Sequence, residues 1–290
     1  MTKRGPRLLV LEGNSARARA KQAEFLGRSY SEGYSDVLRQ IAPDAVVDIC
    51  YPADEGANLP DGEGLSGYDG VAITGSALNL YEEKPEAMRQ VDLVRTVFET
   101  GVPVFGSCWG LQVAAVAAGG TVVRSKNGRE IGLSRKITLT EAGRGHALHE
   151  GKGIVFDAPA VHTDEVGRKP DGMIVTAANA FSEVQAAEIR AGKSVFWGVQ
   201  YHPEFTLADM AAIMRRYGKV LVEEGPFRSL EQLERHAEEL DELEADPARG
   251  DIAWRLAYGR DVLEPHMRLT EIRNWIERLV RPTMSGRGRA

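Results

Sequence analysis

Short apolar runs alternate with stretches of helical spacing up to residue 107. The runs RLLVL, AVVDICY, YDGVAITGS and VPVFG predict buried strands, and residues 16–41 and 85–100 have the spacing of amphipathic helices. Strands that alternate with helices predict βαβ units, which form a mostly parallel sheet with helices on both faces. Ligands of such sheets bind beyond the carboxyl ends of the strands, so the chemistry is expected in the loops that follow strands.

The pattern changes near residue 121, where strand-like runs follow one another closely. RKITLT, GIVFDA, MIVTAA, EVQAAEI and SVFWGVQ predict short strands that extend the sheet in antiparallel fashion, and the spacing is helical from residue 206 onward. We therefore predict an α/β fold with an open, mostly parallel sheet, helices on both faces, some antiparallel strands and a helical C-terminal extension. We divide the chain into a main domain over 1–205, a helical extension over 206–280 packed on or beside it, and a disordered tail over 281–290.

Composition and charge restrict the partners. The chain has 290 residues, 43% of them hydrophobic and 27% charged, with a net charge of −6. Neither nucleic acid nor an anionic membrane is therefore an expected partner, and no apolar run approaches membrane-spanning length. The two cysteines make no disulfide framework, and no Cys and His cluster has the spacing of metal ligands. The small number of cysteines predicts a cytoplasmic protein, and the lack of such a cluster predicts that no metal or other cofactor is needed.

One cysteine lies where a predicted strand meets a predicted helix. In the segment GSCWG, Cys108 stands between Gly106 and Gly110, which is the glycine spacing of a nucleophile elbow with Cys in place of Ser. A helix that begins after the cysteine would favour a thiolate through its N-terminal N–H groups, and the N–H of Trp109 would be an oxyanion donor. The alternative is a buried core thiol, so a partner base is required to choose between them.

A histidine and a carboxylate follow a later predicted strand. In VFWGVQYHPEF, His202 comes directly after the apolar run and Glu204 follows two residues later, on the same side of an extended chain. The imidazole could act as the base for the thiol, and the carboxylate could orient the imidazole. The alternative is that His202 is simply a polar residue at the surface, which is common for a histidine at the end of a strand. His162 is a further candidate, either for the border of the site or for a purely structural role.

Taken together, these motifs identify a family resemblance. The segments DGVAITGSALNLYEE, GSCWGLQ, VHTDEV and WGVQYHPEF stand in the order expected for the class I glutamine amidotransferases, which include the amidotransferase part of GMP synthetase. The chain resembles this family over residues 7–205. The resemblance implies the flavodoxin-like fold of the family and a catalytic main domain.

The resemblance also implies a role for each matching residue. It implies a Cys-His-Glu triad, a pair of backbone oxyanion donors, and residues that hold the amino-acid end of the substrate. These are, in that order, Cys108, His202 and Glu204; Gly75 and Trp109; and Gln112, Thr163 and Asp164. The implied chemistry is hydrolysis of the γ-carboxamide of glutamine, or of another γ-glutamyl amide, through a γ-glutamyl thioester.

Three functions stay open at this point. The chain could release ammonia for a separate synthetase or other acceptor enzyme, or it could act alone as a γ-glutamyl peptidase or hydrolase on glutathione-like compounds. It could also be a non-catalytic binding or regulatory subunit, and the extension could support a homo-oligomer.

Two departures from the family bear on the choice among these functions. Thr74-Gly75-Ser76 replaces the frequent Gly-Gly-Pro loop, and residues 14–40 and the extension have no counterpart in the minimal domain.

The remaining cysteine, histidines and tryptophans have simpler interpretations. Cys50 ends an apolar strand and is expected in the core. His146 and His149 are expected on the surface of a glycine-rich turn rather than at a metal. Trp254 and Trp275 are expected on a packing face of the helical extension.

Overall fold

A nine-stranded mixed sheet organises the molecule. The computed structural model describes residues 4–56, 58–60 and 64–289, so residues 1–3, 57 and 61–63 of the predicted main domain and residue 290 of the predicted tail lie outside the described residues. The strands are β1 Arg7–Leu11, β2 Val46–Cys50, β3 Gly70–Ile73, β4 Val104–Ser107, β5 Val122–Arg124, β6 Glu130–Leu139, β7 Val155–His162, β8 Asp164–Val166, β9 Met173–Ala178, β10 Ala186–Ala191 and β11 Ser194–Val199.

The strand order confirms the predicted fold class. The large sheet runs β2-β1-β3-β4-β11-β10-β9-β6-β7, and β5 and β8 form a separate antiparallel pair. Pairing is parallel from β2 through β1, β3 and β4 to β11. The remaining strands of the large sheet pair in antiparallel fashion. The carboxyl ends of β3, β4 and β11 therefore meet at one edge of the sheet.

Helices cover both faces of this sheet. They are α1 Ala16–Leu26, α2 Tyr30–Ile41, α3 Pro85–Phe98, α4 Trp109–Ala117, α5 Glu141–Arg144, α6 Leu207–Glu223, α7 Leu230–Ala245, α8 Gly250–Leu256, α9 Arg260–Leu263, α10 Pro265–Arg268, α11 Thr270–Asn274 and α12 Arg281–Gly286. The predicted helical stretch 16–41 is two helices. Gly27 ends α1 in the left-handed region at φ 69°, and Ser29 caps α2 together with Glu32 in a capping box.

The alternation of side chains along β1 divides the core between the two faces. Leu9 and Leu11 pack on one face with residues of α3 and α4. Leu8 and Val10 pack on the other face with residues of α2 and of the C-terminal segment, including Trp275. A third apolar cluster joins α6, α7, α8 and α9 to the β6 side of the sheet. The helical extension therefore packs on the sheet.

The structure corrects the prediction of a disordered tail for the part that it describes. Residues 281–286 are helix α12, which follows a π-helical segment at Trp275–Val280. Arg281 makes two hydrogen bonds to the carboxylate of Asp44, at 2.7 and 3.0 Å, and Arg287 donates to the carbonyl of Tyr68 at 3.0 Å. Arg281 and Arg287 thus bind a carboxylate before β2 and a backbone carbonyl before β3, and these contacts hold the segment on the folded molecule.

Two side-chain predictions are also wrong. Trp254 is 72% exposed, whereas Trp275 is fully buried as expected. His149 is buried and hydrogen-bonded to Thr176 Oγ1 at 2.9 Å, and His146 is bonded to Glu188 at 3.0 Å, so neither belongs to a surface turn. The glycine-rich sequence around them suggested an exposed loop, but the loop packs back onto the sheet.

Candidate active site

Cys108 lies on a strained turn at the end of β4. It directly follows the strand, precedes α4 and has φ 51° and ψ −100°. The neighbouring glycines are required sterically: a Cβ at Gly106 would lie 2.6 Å from the carbonyl carbon of Gly110, and a Cβ at Gly110 would lie 2.7 Å from the carbonyl oxygen of Ile73. Such backbone angles cost about 1–3 kcal/mol and persist where the surrounding structure enforces them.

The Cys108 side chain is buried near the carboxyl ends of the central strands. Only 6% of the residue is exposed, and its N–H donates to the carbonyl of Val199 in β11 at 2.7 Å. Its Sγ lies 3.7 Å from the carbonyl oxygen of Val161 in β7. The backbone of Cys108 is thus fixed to β11, and its thiol contacts β7.

His202 and Glu204 follow β11 and form a hydrogen-bonded pair. His202 Nδ1 donates to Glu204 Oε1 at 2.7 Å, and its ring stacks on Phe205 with centroids 4.0 Å apart. Glu204 Oε2 in turn accepts from Ser107 Oγ at 2.9 Å, and Ser107 contacts the hydroxyl of Tyr34 at 3.2 Å. The imidazole is therefore fixed by a hydrogen bond on one edge and by an aromatic ring on one face.

The surroundings of His202 favour its protonated form. Burial by itself lowers the pKa of the imidazole, but the charge of Glu204 and the hydrogen bonds with Cys108 and Glu204 outweigh burial, so the pKa of His202 is raised. The same imidazole thus joins the thiol to the carboxylate. The structure brings all three predicted triad residues together.

The two predicted oxyanion donors are at the same edge of the sheet. Gly75 lies beyond β3, and a Cβ there would come within 2.8 Å of His202 Cε1, so the glycine stands against the imidazole. Trp109 is the first residue of α4, where a backbone N–H has no partner within the helix. Its indole Nε1 donates to Gln90 Oε1 at 2.8 Å, which fixes the orientation of the residue.

A cavity of about 240 Å³ opens beside Cys108 and His202, and the predicted substrate residues line it. Gln112 Nε2 donates to the carbonyl of Asp164 at 2.9 Å and to Gln200 Oε1 at 3.3 Å. The Asp164 carboxylate accepts from Thr163 Oγ1 at 3.3 Å and from the hydroxyl of Tyr81 at 3.4 Å. Because the amide nitrogen of Gln112 is already used, its oxygen is the atom left for a ligand.

His162 borders the same cavity and also has a structural role. Its Nδ1 is 3.0 Å from the carbonyl oxygen of Asp164, and its Nε2 is 2.8 Å from Glu130 Oε2. Burial raises the pKa of the Asp164 carboxyl, and bonds from Thr163 and Tyr81 act against that rise. His162 thus contacts the backbone carbonyl of Asp164, while Thr163 and Tyr81 hold its carboxylate.

Sequence reasoning missed part of the cavity wall. Tyr30 at the start of α2, Arg129 before β6, and Arg216 and Tyr217 on α6 all line the cavity. The two α6 residues belong to the predicted extension, where MRRYGKV looks like an ordinary charged helix face. Only the packing of α6 over the carboxyl ends of the strands makes them part of the site.

Within residues 4–56, 58–60 and 64–289, no group of three His, Cys, Asp or Glu residues could hold a metal ion. In the same ranges no helix combines the length and the apolar character needed to cross a bilayer.

Comparison with known proteins agrees with this geometry. The chain is 37% identical over 282 residues to a γ-glutamyl-L-1-hydroxyisopropylamide hydrolase from a Pseudomonas species, covering 96% of this chain and 94% of that protein. It is also 37% identical over 160 residues to the glutamine-hydrolysing GMP synthase of Corynebacterium jeikeium, covering 55% of this chain and 27% of that enzyme. The matched part is therefore about a quarter of the synthase.

Comparison of the fold and of the family also agrees with the geometry of the site. The structure superposes on a glutamine amidotransferase from Thermotoga maritima with a TM-score of 0.64, covering 95% of this chain and 98% of that one at 19% identity. The family model for class I glutamine amidotransferases matches residues 29–217, a range that contains every predicted site residue. This protein thus belongs to the class I glutamine amidotransferase family of enzymes.

Proposed function

We propose that this enzyme hydrolyses γ-glutamyl amides through a thioester on Cys108. The observation that carries the proposal is the strained Cys108 turn beside an imidazole whose other nitrogen is hydrogen-bonded to Glu204 at 2.7 Å. A nucleophile, a base and an orienting carboxylate within reach of one another are the parts that acyl transfer requires. The raised pKa of His202 further supports the assignment, because a protonated imidazole stabilises a thiolate.

The first half of the reaction forms the acyl-enzyme. The Cys108 thiolate attacks the γ-carbonyl carbon, and the backbone N–H groups of Gly75 and Trp109 stabilise the negative charge on the carbonyl oxygen. The C–N bond then breaks as His202 gives its proton to the leaving nitrogen. An amine leaves, or ammonia if the substrate is glutamine, and the γ-glutamyl thioester remains.

The second half returns the enzyme to its starting state. Water takes the place of the amine, His202 accepts one of its protons, and the oxygen attacks the thioester carbon. The C–S bond breaks, glutamate leaves and the Cys108 thiolate and protonated His202 are regenerated. Gln112, Thr163 and Asp164 hold the amino-acid end of the substrate in both halves, with the Asp164 carboxylate facing the α-ammonium group.

The relative that spans nearly the whole chain supports a substrate class. That Pseudomonas protein is named for the hydrolysis of an N-substituted γ-glutamyl amide, and it aligns with 96% of this chain. We therefore place N-substituted γ-glutamyl amides first among the substrates. They are small molecules, and this version of the function requires no second enzyme.

Glutamine is the second candidate substrate. It is supported by the similarity to glutamine-hydrolysing GMP synthases. In this version the enzyme releases ammonia for a separate acceptor enzyme. The chemistry at Cys108 is the same in both versions, so only the products distinguish them.

A product analysis tests the proposal. The purified chain is given glutamine or γ-glutamyl-ethylamide, and ammonia, ethylamine and glutamate are measured separately. We expect ethylamine and glutamate in equal amounts and a kcat/KM for the ethylamide at least about tenfold above that for glutamine, a difference worth about 1.4 kcal/mol. Replacement of Cys108 by Ala lowers kcat by about 10³-fold or more.

The matched control is the other cysteine. Cys50 is fully buried in the core at the end of β2, so Cys50→Ala keeps the wild-type turnover. Turnover of glutamine but not of the ethylamide favours the ammonia-supplying version. Release of neither amine nor ammonia by the wild-type chain contradicts the proposal.

A further inference from the structure

One wall of the cavity is chemically distinct from the wall that carries Gln112, Thr163 and Asp164. It is built by α2, α6 and the residue before β6, and its members are Tyr30, Arg129, Arg216 and Tyr217. The guanidinium of Arg129 lies 5.0 Å from the ring centre of Tyr217, and that of Arg216 lies 5.6 Å from it. The wall therefore combines aromatic surface with two positive charges.

Tyr30 places this wall next to the leaving group. Its Cε2 would lie 3.7 Å from a Cβ at Gly75, and its ring centre is 5.3 Å from that of Phe205. Phe205 in turn stacks on His202, the imidazole that would protonate the leaving nitrogen. A group attached to that nitrogen would thus extend toward Tyr30 and α6.

The two arginines differ in their partners. Arg129 makes hydrogen bonds of 2.8 and 3.2 Å to the carboxylate of Glu224. Arg215, on the same helix as Arg216, contacts Glu234 and Asp241 at 2.8 and 2.7 Å.

Arg216 differs from both of these arginines. In the described part of the chain it has no ion pair with a carboxylate, and it lies against the rings of Phe25 and Tyr217. It is an uncompensated cation at the cavity.

We propose that Tyr30, Tyr217 and Arg216 form the subsite for the leaving amine, and that Arg216 selects amines that carry a carboxylate. The substrates would then be γ-glutamyl amino acids and peptides. This inference rests on the proposed function, because it assigns one side of the same site. The proposed function already assigns Asp164 to the α-ammonium group, which leaves the unpaired guanidinium for an anion.

The chemistry of arginine supports a carboxylate over a neutral group. A guanidinium presents parallel N–H donors that match the two oxygens of a carboxylate, and the charge strengthens each hydrogen bond. The guanidinium of Arg216 lies 5.9 Å from the ring centre of Phe25 and 5.6 Å from that of Tyr217, and such contacts favour this position of the cation. A neutral alkyl amine would contact the rings but would leave the cation unpaired.

Three substrates and two variants test the inference. γ-Glutamylglycine has a carboxylate on its leaving amine, γ-glutamyl-ethylamide is its neutral counterpart, and glutamine has no substituent. In wild-type enzyme the kcat/KM for γ-glutamylglycine should exceed that for the ethylamide. Arg216→Met should lower this ratio by about 10- to 100-fold, the range of one charge-assisted interaction.

Arg215→Met is the matched control, since it removes a cation of the same helix that pairs with Glu234 and Asp241 of α7 and does not line the cavity, so it should leave the ratio unchanged. Arg216→Gln repeats the test with a polar side chain, and the thermal midpoint of each variant checks folding. An unchanged ratio in both Arg216 variants overturns the inference. An equal loss on all three substrates also overturns it, because Arg216 would then bind the α-carboxylate. If wild-type enzyme hydrolyses none of the three compounds, the proposed function itself fails.

Discussion

At Cys108 the backbone and the side chain depend on each other. The turn with φ 51° and ψ −100° aims the thiol toward His202, and it is tolerated because glycines stand on both sides. Glu204 then connects this turn to the imidazole, since it accepts from Ser107, the residue before Cys108, and from His202. One carboxylate therefore positions both groups of the proposed thiolate–imidazolium pair.

The pH dependence of activity tests the role of Glu204. Its charge raises the pKa of His202 against the effect of burial, so the imidazolium persists until the pH rises through that raised value. Glu204→Gln removes the charge, which lowers the pKa of His202, and the alkaline limb of kcat/KM should move to lower pH by about one unit or more. We expect kcat to fall by about 10²- to 10⁴-fold.

The control for this prediction is Glu183→Gln, because the Glu183 side chain is 88% exposed and lies outside the site. Its pH profile should match that of wild-type enzyme. An alkaline limb that stays in place in Glu204→Gln would mean that the limb reports another group.

Gly75 provides a steric test of the site. A Cβ at this position would lie 2.8 Å from His202 Cε1, so Gly75→Ala forces the imidazole to move. Because a displacement of about 1 Å can cost about 10²-fold in rate, we expect at least that loss in kcat/KM with a small change in stability. Gly250→Ala is the control, since nothing lies within 4 Å of the added Cβ. Wild-type activity in Gly75→Ala would contradict the proposed geometry.

The residue-level motifs were predictable because each is local. Gly-x-Cys-x-Gly and His-x-Glu follow strands, and parallel strands place their carboxyl ends at one edge, so the triad could be assembled from sequence. The positions of Arg216 and Tyr30 at the cavity could not be predicted, because nothing in the local sequence distinguishes a helix residue that faces solvent from one that faces a cavity. Their position depends on how α6 and α2 pack, which is a long-range property.

At the scale of elements, the helices of the C-terminal extension hold the segment that carries His202. Tyr201 donates to Glu271 in α11 at 2.8 Å, and Lys152 Nζ lies 3.2 Å from the same carboxylate. Arg268 in α10 donates to the carbonyl of Pro203 at 3.3 Å. The residues on both sides of His202 are thereby tied to the extension.

Removal of one member of this buried group should destabilise the fold strongly. Glu271 is fully buried and the Lys152 side chain is 1% exposed, so Glu271→Ala leaves a buried ammonium without its counter-ion. We expect the free energy of unfolding in urea to fall by about 3–5 kcal/mol. Glu231→Ala breaks an exposed pair with Arg235 and should cost about 0.5 kcal/mol or less. Equal effects of the two substitutions would contradict this account.

Element boundaries were predictable only in part. The division of residues 16–41 into two helices follows from Gly27 and the Ser29 capping box, both visible in the sequence. The helix at 281–286 was not predictable from composition, because its polar residues gain partners such as Asp44 only in the folded molecule. Long-range ion pairs of this kind leave no periodic pattern of hydrophobic residues in the sequence.

At the scale of the whole molecule, the sheet and the end of the extension share an apolar cluster. Trp275 packs against Phe105 of β4 with ring centres 5.9 Å apart, and a Cβ at Gly70 of β3 would lie 2.9 Å from the indole. The absence of a side chain at Gly70 thus makes room for the tryptophan. We propose that residues after 206 unfold together with the sheet.

The two tryptophans of the extension form a matched pair for testing this. Trp275→Ala removes a fully buried side chain and should cost about 3–5 kcal/mol. Trp254→Ala changes a residue that is 72% exposed and should stay within about 0.5 kcal/mol. Circular dichroism and fluorescence should report one coincident urea transition in wild-type protein. Two separate transitions would show that the extension unfolds independently.

The central claim is that Cys108 carries the γ-glutamyl group during turnover. The most direct measurement is mass spectrometry of the enzyme quenched in acid while it hydrolyses γ-glutamyl-ethylamide, with peptide mapping to locate the adduct. We predict one γ-glutamyl group on the peptide that contains Cys108, none on the peptide that contains Cys50, and neither adduct nor turnover in Cys108→Ala. A γ-glutamyl group on another residue, or wild-type turnover by Cys108→Ala, would contradict the claim.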